Sequence, residues 1–291
     1  MKSLLLLAAS TTAALAGAPL KEGTPLVNEQ RIRPFAFAEG AFSFDAGYDG
    51  DGHGSAWEWR TRAGLLIALP DLRLPGRDLG AWHLRLGVDW HRFEFSHSGG
   101  LPLPERLQSV SALIGLELNV GDQIGALFEV RPGVYFEDDA GSGAWNFPVR
   151  LGVGYRVNDR FSLAVMGRYD GFAKHPLLGG VGFVWKISDT VTLSAIAPEP
   201  RITWQATDRL ALWAGGEFAG GAYRTGKRGG ALVDYTDYRA YVGATWDAGA
   251  WKIEAAAGAS FEREWDYHRE DRRYHTDEAA PFFKLSAGTK W

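Results

Sequence analysis

The sequence predicts an all-β fold, namely a closed antiparallel up-and-down transmembrane β-barrel of about fourteen strands, with twelve as the alternative count. Three observations predict it: a two-residue alternation of apolar and polar side chains, aromatic residues eight positions apart, and connections that alternate between short and long. The composition of 37 Gly, 12 Trp, 10 Tyr and 16 Phe in 291 residues is typical of such a barrel. The chain has no cysteine, so disulfides and thiolate metal sites are excluded.

The N-terminus has the pattern of a processing signal. Lys2 is followed by an apolar run and then by the small-x-small sequence Ala14-Leu15-Ala16, which predicts a signal peptide over residues 1–16. The alternative, an uncleaved anchor, is disfavoured by the short apolar run. We expect residues 17–33 to form a short periplasmic segment and residues 34–291 to form the barrel. Because no other segment approaches the ~20 apolar residues of a spanning helix, a mature membrane protein of this sequence must cross with strands.

The alternation is clearest between Trp82 and Trp90, where apolar side chains share one face and His83, Arg85 and Asp89 share the other. A soluble β-sandwich also alternates. In the assigned strands, however, the apolar face carries no charged residue, which is expected of a face that meets lipid.

Aromatic residues lie near both ends of that apolar face. Eight positions at ~3.3 Å per residue and a tilt near 40° span about 20 Å of membrane normal, close to the apolar band of an outer-membrane barrel. The predicted aromatic girdles therefore consist of Trp82, Trp90, Phe161, Tyr169, Tyr238, Trp246, Phe283 and Trp291.

Short turns such as Asn158-Asp159-Arg160 alternate with longer links such as 262–281. This predicts an even number of strands, with the turns and both termini periplasmic and the links facing outward from the cell. The weakest predicted strands are 191–197 and 202–206, and the count falls to twelve if they do not both span. A phase slip between Phe37 and Phe42 predicts a bulge in the first strand.

The polar face carries a mixed-charge set that we expect to line the lumen. It either creates a transverse field in a conducting pore or fills the lumen with cross-strand ion pairs. Arg85 and Arg150, both mid-strand, are the residues expected to set ion preference. The set is Glu58, Arg60, Arg62, Arg85, Asp89, Glu117, Glu129, Arg131, Arg150, Arg156, Arg168, Asp170, Glu217, Arg239, Lys252 and Glu254.

No catalytic residue, metal site or cofactor is predicted. His83 and His91 are roughly 26 Å apart along one strand, too far to share a ligand. The 262–281 link mixes His and Asp with arginines, which favours a solvated loop or contact with lipopolysaccharide phosphates over a metal site. A membrane-lipid enzyme would need a Ser–His pair reachable from lipid, and the apolar face of the assigned strands carries neither residue. The net charge of -4 gives no support to nucleic-acid binding.

The C-terminal sequence from Phe283 to Trp291 resembles the assembly signal of bacterial outer-membrane proteins, through its alternating apolar positions and aromatic end. It differs in having Thr289 at a usually apolar position and Trp instead of Phe at the end. The resemblance implies that the barrel-assembly machinery recognises Phe283, Leu285 and Trp291.

The whole chain resembles outer-membrane barrel families of unknown function from diderm (Gram-negative) bacteria. The expected function is a passive channel for small solutes or ions, integral to the outer membrane among its lipids and lipopolysaccharide. The alternatives are a non-conducting structural or surface-interaction barrel and, less favoured, a lipid-modifying enzyme.

Overall fold

The computed structural model describes residues 32–48, 52–69, 73–74, 77–78, 80–98, 100–121, 123–226 and 231–289. The expected signal peptide, nearly all of the 17–33 segment and the terminal Trp291 lie outside the described residues. In the described ranges, no helix is long and apolar enough to cross a membrane.

Fourteen antiparallel strands form the wall, which confirms the predicted fold and strand count. Strand β1 pairs with both β2 and β14, so the sheet closes on itself. The strands are β1 Ile32–Gly47, β2 His53–Ala68, β3 Ala81–His97, β4 Arg106–Val120, β5 Ile124–Val130 with Gly133–Phe136, β6 Trp145–Asn146 with Val149–Asn158, β7 Phe161–Tyr169, β8 Leu177–Lys186, β9 Val191–Ser194, β10 Arg201–Gln205, β11 Leu210–Arg224, β12 Leu232–Ala248, β13 Trp251–Tyr267, and β14 Arg272–His275 with Ala280–Thr289.

The two faces of the wall differ in the way the alternation predicts. Outward side chains of mid-strand positions are large, apolar and exposed, as at Leu151 (56 % exposed) and Val181 (83 %). Inward positions on most strands carry the charged residues described below, whereas those of β8 carry glycine and apolar side chains. A band of exposed apolar side chains around a closed sheet is the surface that a bilayer covers.

Two local predictions are corrected. Pairing of β1 with β2 is continuous from Ile32 to Ser43, and the irregularity falls between Ser43 and Ala46. No bulge lies between Phe37 and Phe42: the phase slip reflects an inward-facing aromatic side chain at Phe37, and Phe35 on the same face is buried. The predicted 262–281 loop is largely strand, because β13 and β14 continue as a paired hairpin above the barrel.

The wall divides into two levels. Toward the short turns, the end called here the turn side, all fourteen strands pair in sequence. Toward the other end, the loop side, the second segment of β5 leaves β6 and reaches β11, where Phe136 pairs with Arg224 in parallel. The Glu137 amide also donates to the Arg224 carbonyl at 3.0 Å. Strands β1–β5 and β11–β14 thereby close a narrower circuit, the upper ring, and β6–β10 are left outside it.

An aromatic core fills the upper ring. Trp265 and Phe93 are fully buried, and Tyr223, Tyr235 and Phe95 pack edge-to-face around them with ring centroids about 5–6 Å apart. The aliphatic members Leu103, Leu107 and Val233 are also fully buried. In the part of the chain that the structure describes, this packing leaves no axial passage through the upper ring.

Candidate functional site: the charged lumen

One side of the lumen, formed by strands β2–β7, is rich in arginine. We call this set the arginine wall; it comprises Arg60, Arg62, Arg85, Arg131, Arg150 and Arg168 with Asp89, Glu117, Glu129 and Asp170. Six arginines face four carboxylates, so this side carries excess positive charge.

Asp89 is the centre of the arginine wall. Its Oδ2 atom lies 2.9 Å from Arg60 Nη2, 3.0 Å from Arg62 Nη2 and 2.8 Å from Arg131 Nη1. The Asp89 side chain is only 4 % exposed. Three guanidinium groups around one buried carboxylate form a charge-assisted network that holds β2, β3 and β5 together across the lumen face.

Glu129 is the second carboxylate hub. Arg131 Nε donates to its Oε1 atom at 2.7 Å, and Arg85 and Arg150 lie 3.6 and 3.9 Å from its oxygens. Arg85 also pairs with Glu117. Arg85 is therefore tied to two carboxylates, whereas Arg150 makes a longer contact with Glu129.

The opposite side of the lumen is acidic. We call it the carboxylate wall; it consists of Glu39, Glu58, Glu199, Glu217 and Asp237 around the two cations Arg239 and Lys284. Lys284 Nζ lies 3.0 Å from both Glu39 and Glu217 and 3.2 Å from Glu199.

The two walls meet at Glu58 on β2. Its Oε2 atom accepts from Arg239 Nη1 of β12 at 2.6 Å, and its Oε1 atom lies 2.7 Å from His91 Nε2. Strands β2 and β12 are separated in the wall by β1, β14 and β13, so the Glu58–Arg239 contact spans the lumen.

The connection between β9 and β10 folds into the lumen. Ile196 is 1 % exposed and packs against Ala164 and Met166 on the inward face of β7. Glu199 in the same connection reaches Lys284 on β14. The connection therefore narrows the lumen from one side, and both short strands still pair into the wall.

The lumen is more open toward the turn side. The side chains of Glu117, Glu254 and Arg201 are 23, 28 and 30 % exposed although all three point inward. The adjoining outer face is apolar, so their exposed surface belongs to the interior of the barrel. We call this part of the lumen the vestibule, and its charges make it a wetted compartment.

The predicted lumen residues are distributed over these parts. Glu58 and Arg239 bridge the two walls, and Glu217 belongs to the carboxylate wall. Glu254 and Glu117 lie in the vestibule, Arg156 is half-buried near the turn side, and Lys252 is exposed at the end of β13. The remaining predicted members lie in the arginine wall: Arg60, Arg62, Arg85, Asp89, Glu129, Arg131, Arg150, Arg168 and Asp170.

Of the predicted girdle residues, Tyr169, Trp246 and Phe283 are about half exposed. Trp82, Trp90, Phe161 and Tyr238 are partly buried by their neighbours. The structure adds Trp57 and Trp59, whose stacked rings lie beside Phe42 on the outer surface. Leu285, of the expected assembly signal, is 61 % exposed on the outer face of β14.

Sequence reasoning missed five of the inward charges described above, namely Glu39, Glu199, Arg201, Asp237 and Lys284. Lys284 lies within the C-terminal segment that was assigned to assembly, between the outward residues Phe283 and Leu285. The strict alternation there would have placed Lys284 inward. The alternation therefore predicts this inward charge, but the segment was interpreted only as a recognition motif for assembly.

No family model and no curated protein matches this chain. Among solved structures, it is similar to the Pseudomonas putida toluene transporter TodX, at 11 % identity and a TM-score of 0.49 over 97 % of this chain and 94 % of that one. It is also similar to the KdgM porin in complex with disordered oligogalacturonate, at 9 % identity and a TM-score of 0.34 over 89 % and 99 %. At these TM-scores the superpositions support no inference about function. The architecture itself, a closed fourteen-stranded antiparallel barrel with an apolar outer band, is that of a bacterial outer-membrane β-barrel.

Proposed function

We propose that this protein is a passive outer-membrane channel for small hydrophilic solutes. The observation that carries the proposal is the charged lumen, in which an arginine wall faces a carboxylate wall above a wetted vestibule. Charged side chains at close quarters in a narrow aqueous passage act strongly on passing ions. The proposal includes the orientation in which the turn side and both termini are periplasmic.

Planar-bilayer conductance of the refolded barrel tests the proposal. We expect discrete conductance steps, and a several-fold shift of ion preference toward cations in Arg150→Glu. Arg150 is chosen over Arg85 because Arg85 is tied to both Glu117 and Glu129. Lowering the salt concentration should enlarge the shift, because the Debye length grows from about 10 Å at 0.1 M to about 30 Å at 0.01 M.

Arg160→Glu is the matched control for this experiment. Arg160 lies in the turn between β6 and β7 and its side chain is 64 % exposed, outside the lumen. It should leave ion preference unchanged. A folded native barrel that shows no discrete steps would overturn the channel proposal.

The second candidate function is a non-conducting structural barrel. The aromatic core favours it, because fully buried residues such as Trp265 and Phe93 close the axial path through the upper ring. In that case the ion pairs of the two walls serve to pack a closed lumen. The absence of conductance in a correctly folded barrel would support this candidate.

A further inference from the structure

The wall of the barrel is incomplete on one side of the loop end. Strand β9 ends at Ser194 and β10 begins at Arg201, whereas the neighbouring β8 and β11 extend farther toward the loop side. The connection between the short strands contacts the edge of β11 only as far as Phe218, whose amide donates to the Pro198 carbonyl at 3.1 Å. Beyond that point no described strand stands between β8 and β11.

The two sides of this gap overlap instead of meeting edge to edge. Arg168 and Leu178, on the inward face of β7 and β8, line a crevice together with Ala222 on β11 and Asp234 and Thr236 on β12. In the upper ring these last three occupy positions that alternate with the core residues Tyr223 and Tyr235, and so belong to its outer face. The crevice thus runs between the rim of the lower barrel and the outside of the upper ring.

The crevice is shut in this conformation. Its cavity volume is about 30 Å³, the share of liquid volume that one water molecule occupies. Ala222 and Thr236 are 2 and 3 % exposed although they lie on the outer face of the upper ring. The cover is the connection between β7 and β8, residues 170–176, which contributes Ala173 and His175 to the lining.

Lys174 fastens this cover to the upper ring. Its amide donates to Asp234 Oδ2 at 2.7 Å, and its Nζ atom donates to Asp266 Oδ2 at 2.6 Å. The hydrogen bond to Asp266 raises the pKa of Lys174, so the side chain stays charged. The Lys174 side chain is 48 % exposed, and ion pairs with that exposure are weak. The attachment can therefore open at small cost compared with the buried pairs of the lumen.

The crevice also contains a buried carboxylate oxygen that lacks a hydrogen-bond partner. Asp234 Oδ1 has no hydrogen-bond partner, although Oδ2 of the same carboxylate accepts from Lys174. Buried acceptors without a partner are uncommon. Water or a hydrophilic solute entering the crevice would supply one.

We infer that this crevice is the outer mouth of the channel, and that residues 170–176 form a strap that closes it. The route leads from the vestibule along the arginine wall to Arg168, and then around the aromatic core instead of through it. The solutes that fit are small and carry polar groups, because the crevice presents a guanidinium, a carboxylate and a hydroxyl along a narrow path between apolar residues such as Leu178 and Phe218. The inference rests on the proposed channel function.

A disulfide lock tests the route. Because the chain has no cysteine, Lys174→Cys with Asp234→Cys introduces a single possible disulfide between strap and ring. Oxidation of this double-cysteine barrel should abolish its conductance, and reduction should restore the conductance. Lys174→Ala should instead increase the fraction of time that the channel spends open.

Thiol labelling tests the strap without relying on conductance. Ala222→Cys should react slowly with a charged, water-soluble methanethiosulfonate, and at least tenfold faster when Lys174→Ala is added. Ala56→Cys is the matched control, because Ala56 is equally buried but belongs to the aromatic core. Its labelling should stay slow in both backgrounds.

The outcomes separate the two claims. Conductance that persists in the oxidised double-cysteine variant overturns the route and leaves the channel function standing. A folded native barrel without conductance overturns the channel function and the route with it. Equal labelling of Ala222→Cys with and without Lys174→Ala overturns the strap.

Discussion

Asp89 shows how this barrel handles buried charge at the scale of a single residue. Three guanidinium groups contact it, and both partners of its pairs with Arg60 and Arg131 are less than 10 % exposed. A buried ion pair contributes little net stability compared with an apolar replacement, but removing one partner leaves an uncompensated charge. Asp89 is therefore a position where substitution is costly whether or not the lumen conducts.

We expect Asp89→Ala to lower the free energy of unfolding in lipid by about 3–5 kcal/mol, because it removes the carboxylate that three buried arginines share, and among the described residues only Arg131 keeps a second one, Glu129. Asp138→Ala is the matched control. Asp138 pairs with Arg106 at 2.9 Å, but both side chains are at least 40 % exposed, so its loss should cost about 0–1 kcal/mol. Refolding titrations measure both values, and equal costs would contradict the buried network.

An individual strand can be predicted from the sequence where one of its faces meets lipid and the other meets a polar lumen. Strand β3 was predicted from its alternation, because Leu86 and its neighbours meet lipid while Arg85 and Asp89 meet the lumen. The same reasoning failed for β1, since the inward residues Phe35 and Phe37 are as apolar as the outward ones. Alternation predicts which side chains point into the lumen only where the lumen is polar.

We expect Leu86→Arg to cost about 2–4 kcal/mol of barrel stability, because it places a charge near the middle of the lipid-facing band. Its neighbour Gly87 is an unsuitable inward control, since a Cβ there would lie 2.5 Å from the Ala63 carbonyl oxygen. Gly125 is inward-facing, and a Cβ there meets only Asn119 Oδ1 at 3.5 Å. Gly125→Arg should therefore cost less barrel stability in the same refolding titration. A larger cost for Gly125→Arg than for Leu86→Arg would mean that the lipid-facing and lumen-facing sides are wrongly assigned.

At the scale of the whole molecule, the sequence predicted the strand number but not the two levels of the wall. The count follows from local alternation and turn chemistry. The upper ring depends on a contact between Phe136 and Arg224, 88 positions apart, and on aromatic residues that converge from several strands. The same limit applies to the candidate site: the inward charges were largely predictable, whereas the cross-lumen pairing of Glu58 with Arg239 was not.

Assembly of the whole molecule is expected to depend on its C-terminal residue. Deletion of Trp291, or Trp291→Asp, should sharply reduce accumulation in the outer membrane while export to the periplasm continues. Cell fractionation measures both quantities. Ile32→Asp is a control at the same end of the barrel, since Ile32 is exposed at the start of the neighbouring strand β1 and lies outside the proposed signal. Normal outer-membrane levels of both Trp291 variants would show that the terminus is not an assembly signal.

The number of strands in the upper ring is odd, and this has a consequence for the directions of the strands. In an up-and-down chain consecutive strands run in opposite directions, so a circuit closes without conflict only when the strand number is even. The upper ring has nine strands, β1–β5 and β11–β14, and must therefore contain one pair that runs the same way. That pair is β5 with β11, and among the described residues it is joined in register at Phe136 and Arg224 alone. Parity thus fixes the position of a seam with few backbone hydrogen bonds, and any widening of the ring that leaves the lower barrel intact should begin at this seam.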